Sequence, residues 1–357
     1  GNVLDASLAV ARRLATAGKA ELTALHAPPR HRNRAPALGF PRFHDSLEEF
    51  LAQDDLDVVV ILTPMALHAS HALAALAAGR HVLVEKPLAT DLAQAGCLVT
   101  AARQARRHLV AAPFTTLSPT FQIIARRLAR GDIGRVVAAR GRYGWAGPDW
   151  TGSFYGPDAG ALFDLGVYNL TTLTGWLGPV RQVVALNRIA IPDREVPGGR
   201  VQVQAEDTAQ VLLEFQAGCV ASVLAGFTLQ QYAGPGLELY GTEGTLNLRG
   251  DDWDPDGFEL WQNTAGCWQY YRETQPDWPW ADGLAHLVDC LREGREPQVR
   301  PEHALHVLEI MIRARESSRD GTAKQIQTTF EPLPVETPAP DPSPAAHRVH
   351  DRTRGAE

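Results

Sequence analysis

Two continuous apolar runs, Asp57-Val58-Val59-Val60-Ile61-Leu62 and His81-Val82-Leu83-Val84, flank an alanine-rich stretch over 69–78 that Gly79 closes. A strand without polar alternation needs cover on both faces, and parallel sheets flanked by helices supply that cover. The spacing therefore predicts a strand–helix–strand unit of parallel topology. The same rhythm extends both ways. Residues 3–17 carry helical periodicity, with Leu4, Leu8, Val10, Ala11 and Leu14 on one side and Gly18 as the stop. A strand over 21–25, a short helix over 47–53, a helix over 91–106 and a strand over 109–112 complete the series.

After residue 113 the pattern changes. A helix over 118–130 and a turn at Gly131-Asp132-Ile133-Gly134 lead into strand-like segments at 135–143, 180–191, 209–215, 219–227, 237–240, 245–248 and 258–262. Short Gly and Asp turns between successive strands indicate antiparallel pairing. One helix at 162–177 interrupts this run, and helices at 281–293 and 302–317 close it. The expectation is an α/β protein. Residues 1–112 form a Rossmann-type parallel-sheet domain with its first strand missing. Residues 113–330 form an α+β domain built on a large open, mainly antiparallel sheet. Residues 331–357, rich in proline and charge, are expected to be disordered. A chain of 357 residues is long enough for two cores.

Composition removes several classes of function. The net charge of -7 argues against a nucleic-acid surface. Cys97, Cys219, Cys267 and Cys290 stand far apart and form no CxxC pair, which fits a reducing, cytoplasmic setting without a zinc site. No apolar run reaches membrane-spanning length, so no membrane partner is expected. His68 and His71 have helical spacing, but no cysteine or acid completes a ligand set, and no metal is expected. Asp252-Trp253-Asp254-Pro255-Asp256-Gly257 imitates a calcium loop, yet its twelfth position is Asn263 and not a glutamate. A turn between strands is the better reading.

Three places carry chemistry. Glu85-Lys86-Pro87 follows the second apolar run and sets an ammonium at the carboxyl edge of the sheet, where open α/β sheets bind ligands. Gly1-Asn2-Val3 begins the first helix, and a helix start can bind a pyrophosphate. There Gly1 reads as the second glycine of a dinucleotide loop cut by the start of the chain. Asp164 and Tyr168 lie four apart on a helix, one on the other's face. A phenol can exchange a proton with a substrate oxygen if a cation stabilises its phenolate, or the two can be a hydrogen-bonded core pair.

These motifs together resemble the Gfo/Idh/MocA family of oxidoreductases, which includes glucose–fructose oxidoreductase, inositol dehydrogenase and dihydrodiol dehydrogenase. The resemblance runs from Gly1 to about Thr329. It rests on Thr63-Pro64 with His68, the block Ala78-Gly79-Arg80-His81-Val82-Leu83-Val84-Glu85-Lys86-Pro87, and Gly131-Asp132-Ile133-Gly134. Asp164-Leu165-Gly166-Val167-Tyr168 and Tyr240-Gly241-Thr242-Glu243-Gly244-Thr245-Leu246 complete it.

The resemblance implies NAD(P) as cofactor, bound by Gly1, Asn2, Val3, Thr63, Pro64, His68, Glu85 and Lys86. It implies hydride transfer to or from a sugar or cyclic polyol, with Lys86, Asp164 and Tyr168 as catalytic residues. Tyr168 takes a place often held by histidine, as in the glucose–fructose oxidoreductase and dihydrodiol dehydrogenase branch. Ala27 stands where a ribose-binding acid is expected, and Arg30, Arg32 and Arg34 follow. That pattern favours NADP, or else marks a solvated basic loop. Thr115, in a segment lacking the family's usual arginine, Trp150 and Tyr155 are candidates on the substrate side. The two aromatic rings either stack on a sugar or pack between the domains. A homodimer or homotetramer is expected. A non-catalytic dinucleotide-binding regulator and an NAD-dependent glycosidase of the same family are the alternatives.

Overall fold

A computed structural model describes residues 2–334 of the protein. Gly1 and the chain from residue 335, with the expectations attached to them, lie outside the described residues. The chain forms two compact units. One comprises Gly1–Phe114 with Pro279–Leu305, the other Thr115–Trp278 with the chain from His306.

The first unit begins with helix α1 (Asn2–Thr16), strand β1 (Ala24–His26), helix α2 (Ala35–Leu38) and strand β2 (Arg42–His44). Helix α3 (Leu47–Leu51), strand β3 (Val58–Ile61), helix α4 (His68–Ala77), strand β4 (His81–Val84), helix α5 (Leu92–Ala105) and strand β5 (Leu109–Ala111) follow. Local chemistry sets the helix ends. Ser46 accepts from Glu49 N at 3.3 Å to start α3, and Asp91 accepts from Gln94 N at 3.0 Å to start α5. All pairings here are parallel, with β3–β4–β5 in one set and β1–β2 in another. No ladder joins β1 to β3 among the described residues. In the order 3-2-1-4-5-6 of dinucleotide-binding sheets, that interval is the place of the first strand.

The division of the chain differs from the sequence expectation at one point. Residues 279–305 belong with the parallel sheet and not with the second domain. The second unit's expected range of 113–330 therefore loses this stretch. Helix α8 (Gly283–Glu293, numbered after α6 and α7 below) buries Leu284, Leu287 and Val288 within the first unit. Asp282 pairs with Arg13, and Asp289 pairs with Lys19 at 2.7 Å, both on or just after α1. Nothing local in a helix says which sheet it returns to.

The second unit starts with α6 (Pro119–Ala129), capped by Ser118 through Phe121 N at 3.0 Å, and continues through β6 (Val136–Gly144) and α7 (Val167–Leu177). Its strands are then β7 (Val180–Arg188), β8 (Asp193–Val196), β9 (Gly199–Gln202), β10 (Thr208–Phe215), β11 (Val220–Gly226), β12 (Leu237–Gly241), β13 (Gly244–Asp251), β14 (Asp254–Gln262) and β15 (Cys267–Tyr271). Helix α9 (Pro301–Asp320), within which the unit boundary falls, and strand β16 (Lys324–Gln325) end the described chain.

A nine-stranded sheet runs β15-β14-β13-β12-β6-β11-β10-β7-β16. Only β6 and β11 pair in parallel. Alternation separates its two faces. Val183, Ala185, Val211, Leu213 and Phe215 point into the core, while Val184, Leu186, Leu212 and Val220 are exposed. The outer edge of β7 is closed by β16 and by Ser317 and Ser318, whose hydroxyls accept from Ala185 N and Asn187 N.

Candidate active site

In the first unit, Ile61 and Val84 are register partners, so the segments after β3 and β4 leave the sheet at the same edge. Glu85 N continues the ladder by donating to Ile61 O at 3.0 Å. The two segments are then tied by His68, which is 1% exposed at the start of α4. Its Nδ1 lies 2.8 Å from Pro87 O and its Nε2 lies 2.9 Å from Thr63 O. Burial pushes the imidazole pKa down. The two carbonyls pull it back up, and the Lys86 ammonium pushes it down again. A neutral ring carries one N–H and can satisfy only one of these carbonyls at a time. His68 is thus a clasp between the Thr63 and Lys86 segments, and its contacts are to backbone.

Lys86 N donates to Glu85 Oε2 at 3.1 Å, and the following Lys86–Pro87 peptide is cis. Thr63 Oγ1 is buried with no hydrogen-bond partner among the described residues. An orphaned buried hydroxyl at the carboxyl edge of a parallel sheet fits a polar ligand, as a dinucleotide would be. Helix α1 begins at Asn2, so the backbone N–H groups at Asn2 and Val3 are those of a helix start. Arg30, Arg32 and Arg34 lie exposed on a 3₁₀ turn, and Arg32 pairs with Asp45 at 2.8 Å.

In the second unit, Asp164 lies on a π-helical turn, Leu162–Gly166, that runs directly into α7. The expected single α-helix over 162–177 thus opens with a wider turn. Such turns are inserted where a side chain must be re-aimed, often at functional sites. Gly166 permits it here. A Cβ at that position would lie 2.7 Å from Leu162 Cδ1 and 3.2 Å from Ala225 on β11. The start of the turn is anchored by Ala161 N, which donates to Glu206 O at 2.8 Å. Arg315 holds Glu206 by two hydrogen bonds of 2.9 Å, donates to Ala159 O, and lies over the Phe163 ring at 3.9 Å.

Asp164 is 8% exposed, and Tyr168 is half-buried. The Tyr168 ring stands edge-on to Tyr143 of β6, with centroids 5.7 Å apart. Burial drives the Tyr143 phenol far upward, and the charges of Asp251, Tyr168, Asp252 and Asp164 add to the effect. Tyr143 therefore stays a neutral phenol beside Tyr168. Sequence reasoning missed it, because a tyrosine in a strand carries no local signal of its neighbours.

The three substrate-side candidates separate. Trp150 is 55% exposed and stacks on Trp145 at 5.4 Å, so it presents an open aromatic face. Tyr155 is 2% exposed and its hydroxyl donates to Pro148 O at 2.6 Å, so it packs in the core of the second unit beside Ala225 and Phe227. Thr115 is buried, and its Oγ1 accepts from Thr172 Oγ1 at 2.9 Å. Among the described residues, no group of three or more His, Cys, Asp or Glu could hold a metal ion, and no helix is long and apolar enough to cross a membrane.

Residues 6–112 match the oxidoreductase family with an NAD-binding Rossmann fold. Residues 121–247 match the GFO/IDH/MocA C-terminal domain. The chain belongs to the Gfo/Idh/MocA oxidoreductase family. Its Rossmann-type sheet and large open sheet are the two domains of that family.

Among its curated relatives, 1,5-anhydro-D-fructose reductase of Ensifer adhaerens is 33% identical over 56% of this chain, and the match spans 59% of that protein. Trans-1,2-dihydrobenzene-1,2-diol dehydrogenase of Oryctolagus cuniculus is 27% identical over 74% of this chain and 79% of its own length. A solved structure of levoglucosan dehydrogenase with NADH and L-sorbose superposes with a TM-score of 0.78 at 20% identity, covering 91% of this chain and 95% of that one. That likeness shows the shared fold.

Proposed function

We propose that the protein is an NAD(P)-dependent oxidoreductase acting on a secondary hydroxyl, or the matching carbonyl, of a sugar or cyclic polyol. The observation that carries this reading is the Asp164–Tyr168 helix. It presents a half-buried phenol one turn from a buried carboxyl, with a neutral phenol beside it. The reductase and dehydrogenase relatives act on hydroxyl or carbonyl carbons by their names, which supports the same reaction class. Bound NAD(P) would accept or supply the hydride.

The chain's own residues divide the remaining work. The helix start at Asn2 and Val3 offers N–H groups to the pyrophosphate. Thr63, Pro64, Glu85 and Lys86, at the strand ends, would hold the cofactor, and His68 keeps those segments in place. Lys86 holds the substrate oxygen and offsets the negative charge that develops on it. Tyr168 exchanges the hydroxyl proton, and Asp164 orients a substrate hydroxyl. Trp150 offers its exposed face to a sugar ring.

Arg30 and Arg34 lend a preference for NADP over NAD, through the 2′-phosphate. The exposed row Val184, Leu186, Leu212 and Val220 supports pairing of sheet faces in a homodimer or homotetramer. The unpaired thiols of Cys97, Cys219, Cys267 and Cys290 support a cytoplasmic setting. The test is absorbance of NADH and NADPH against a panel of aldoses, anhydro-sugars and cyclic polyols, read in both directions. Turnover with at least one member is expected. No redox change across the panel would overturn the proposal.

A further inference from the structure

Behind Tyr168, a polar pair that the proposed reaction does not use joins helix α7 to the turn between β13 and β14. Asn169, the next residue, is 1% exposed and lies over Gly141 of β6, where a Cβ would come within 3.1 Å of the Asn169 side chain. Its Nδ2 donates to Asp252 Oδ2 at 3.0 Å. Asp252 is 3% exposed and sits in the turn between β13 and β14. The other two oxygens of the pair, Asn169 Oδ1 and Asp252 Oδ1, are buried and have no hydrogen-bond partner among the described residues. If Asp252 is ionised, both are acceptors with nothing to accept. A single proton on Asp252 Oδ1 turns one orphan into a donor for the other. The acid and the amide then face each other through two hydrogen bonds, and both orphans are satisfied.

We propose that Asp252 is held as the neutral carboxylic acid, paired face to face with the Asn169 amide, and that this pair is the positioning device for Tyr168.

The surroundings agree. Asp251 lies in the same turn and accepts from the Tyr232 hydroxyl at 3.1 Å, and Asp254 begins β14. Asp164 and Tyr168 face the cluster from the helix side and Tyr143 from β6. The nearby cation, Arg142, lies over the Tyr232 ring at 4.4 Å and donates to Ala233 O and Pro235 O, so its fork is turned to the loop. A negative charge on Asp252 would meet carboxylates and phenols. Burial pushes the Asp252 carboxyl up to about 7 and Asp251 adds to the rise, while the Asn169 amide and Thr172 hydroxyl oppose it. A carboxyl raised in the folded state binds its proton there more tightly than in the unfolded chain. Its contribution to stability is therefore full below the unfolded value near 3.8, falls as pH rises toward about 7, and is constant above it.

The positioning half of this inference rests on the assignment of Tyr168 as the proton-exchanging residue. The protonation half does not. The experiment uses Asp252→Asn and Asp252→Ala in the intact protein, with two readouts. The first is the denaturation midpoint from pH 5 to 9. The wild type is expected to lose stability relative to Asp252→Asn from pH 5 up to about 7 and to level off above it, because an amide keeps two hydrogen bonds and cannot ionise. Parallel curves for the two proteins would overturn the neutral acid and point to a carboxylate with a buried water or cation. The second is the pH profile of kcat, followed by NADH or NADPH absorbance with the best substrate of the sugar and polyol panel. Asp252→Ala is expected to lower kcat about 10–10²-fold. Wild-type kcat is expected to fall above neutral pH, and Asp252→Asn should keep most of the activity and remove that fall. Wild-type kcat in Asp252→Ala would overturn the positioning role. If Tyr168→Phe keeps normal turnover while the stability curves still diverge, the assignment of Tyr168 has failed and the acid–amide pair stands.

Discussion

Lys86 and Tyr168 are held by different kinds of interaction. Lys86 follows a buried parallel strand, and its segment is tied down by groups from the adjoining strand and helix start. Glu85 N pairs with Ile61 O, and His68 bridges Pro87 O and Thr63 O. Tyr168 stands on a helix whose start is anchored by side chains from far along the chain. Arg315 and Glu206 hold the π-helical turn, and Asp252 reaches Asn169. The first arrangement depends on local sequence, since strand, helix start and strand end come from neighbouring segments. The second depends on which distant residues the sheet brings beneath the helix. Substitutions near Lys86 should therefore act on one loop, while substitutions around Tyr168 should act on the whole second unit.

The largest effect expected is on turnover. Lys86→Ala should lower kcat/KM with NADH or NADPH by about 10²–10⁴-fold while leaving the unfolding transition in place, the scale of losing an electrostatic partner in proton transfer. An unchanged kcat/KM would remove Lys86 from the reaction. Among stability effects, Glu206→Ala should be the most severe. It takes from the partly buried Arg315 guanidinium its carboxylate partner, at a cost of about 1.5–3 kcal/mol in denaturant titration. A change within experimental error would mean that side chains do not anchor the turn.

His306 gives the pH arm of the comparison. It is fully buried in the second unit, accepts from Val180 N at 2.9 Å, and burial lowers its pKa to about 4. A histidine depressed in the folded state binds protons more readily when unfolded. The stability it supports is therefore present at and above pH 6.5 and is lost as pH falls toward 4. Between those limits the loss should be about 2–3 kcal/mol at most, and His306→Gln should flatten it. An unchanged acid limb in that variant would assign the loss elsewhere.

His68→Ala should cost about 1–3 kcal/mol, since it leaves buried carbonyls unsatisfied. Hydrogen exchange should show the loss of protection confined to the segments around Thr63 and Lys86. Protection lost across the unit would break the contrast between a loop held locally and a helix held globally. The smallest effect is expected for Arg30→Ala with Arg34→Ala. The pair should narrow any preference for NADPH over NADH by a few-fold, and an unchanged ratio would remove the basic turn from cofactor choice.

The contrast also explains what could be read before the structure. The parallel strands at Val58–Ile61 and His81–Val84 were legible from uninterrupted apolar runs, and Glu85-Lys86-Pro87 was legible because it follows one of them. Helix α7 was legible from its periodicity, but the π-helical turn at Leu162–Gly166 was not, since it depends on the approach of Ala225 on another strand. Strand Cys267–Tyr271 lies at the sheet edge and mixes polar with aromatic residues, so it carries no clear alternation. The short pair Asp193–Val196 and Gly199–Gln202 is polar and half-exposed, and it carries no clear strand signal for the same reason. The turn at Asp252 was foreseen, but the burial of its carboxyl against Asn169 was not, because the two are far apart in sequence. Tyr155 shows the converse. Its place before the Asp164 helix suggested a substrate contact, whereas its hydroxyl is satisfied by Pro148 O inside the core.

The most direct test of the proposed function is Tyr168→Phe, which removes one hydroxyl and keeps the ring against Tyr143. Dinucleotide binding by fluorescence titration and turnover on the best sugar or polyol substrate should be measured on the same preparation. The account predicts binding within a few-fold of wild type and a loss of kcat of about 10²-fold or more. Near-normal kcat with unchanged binding would contradict it.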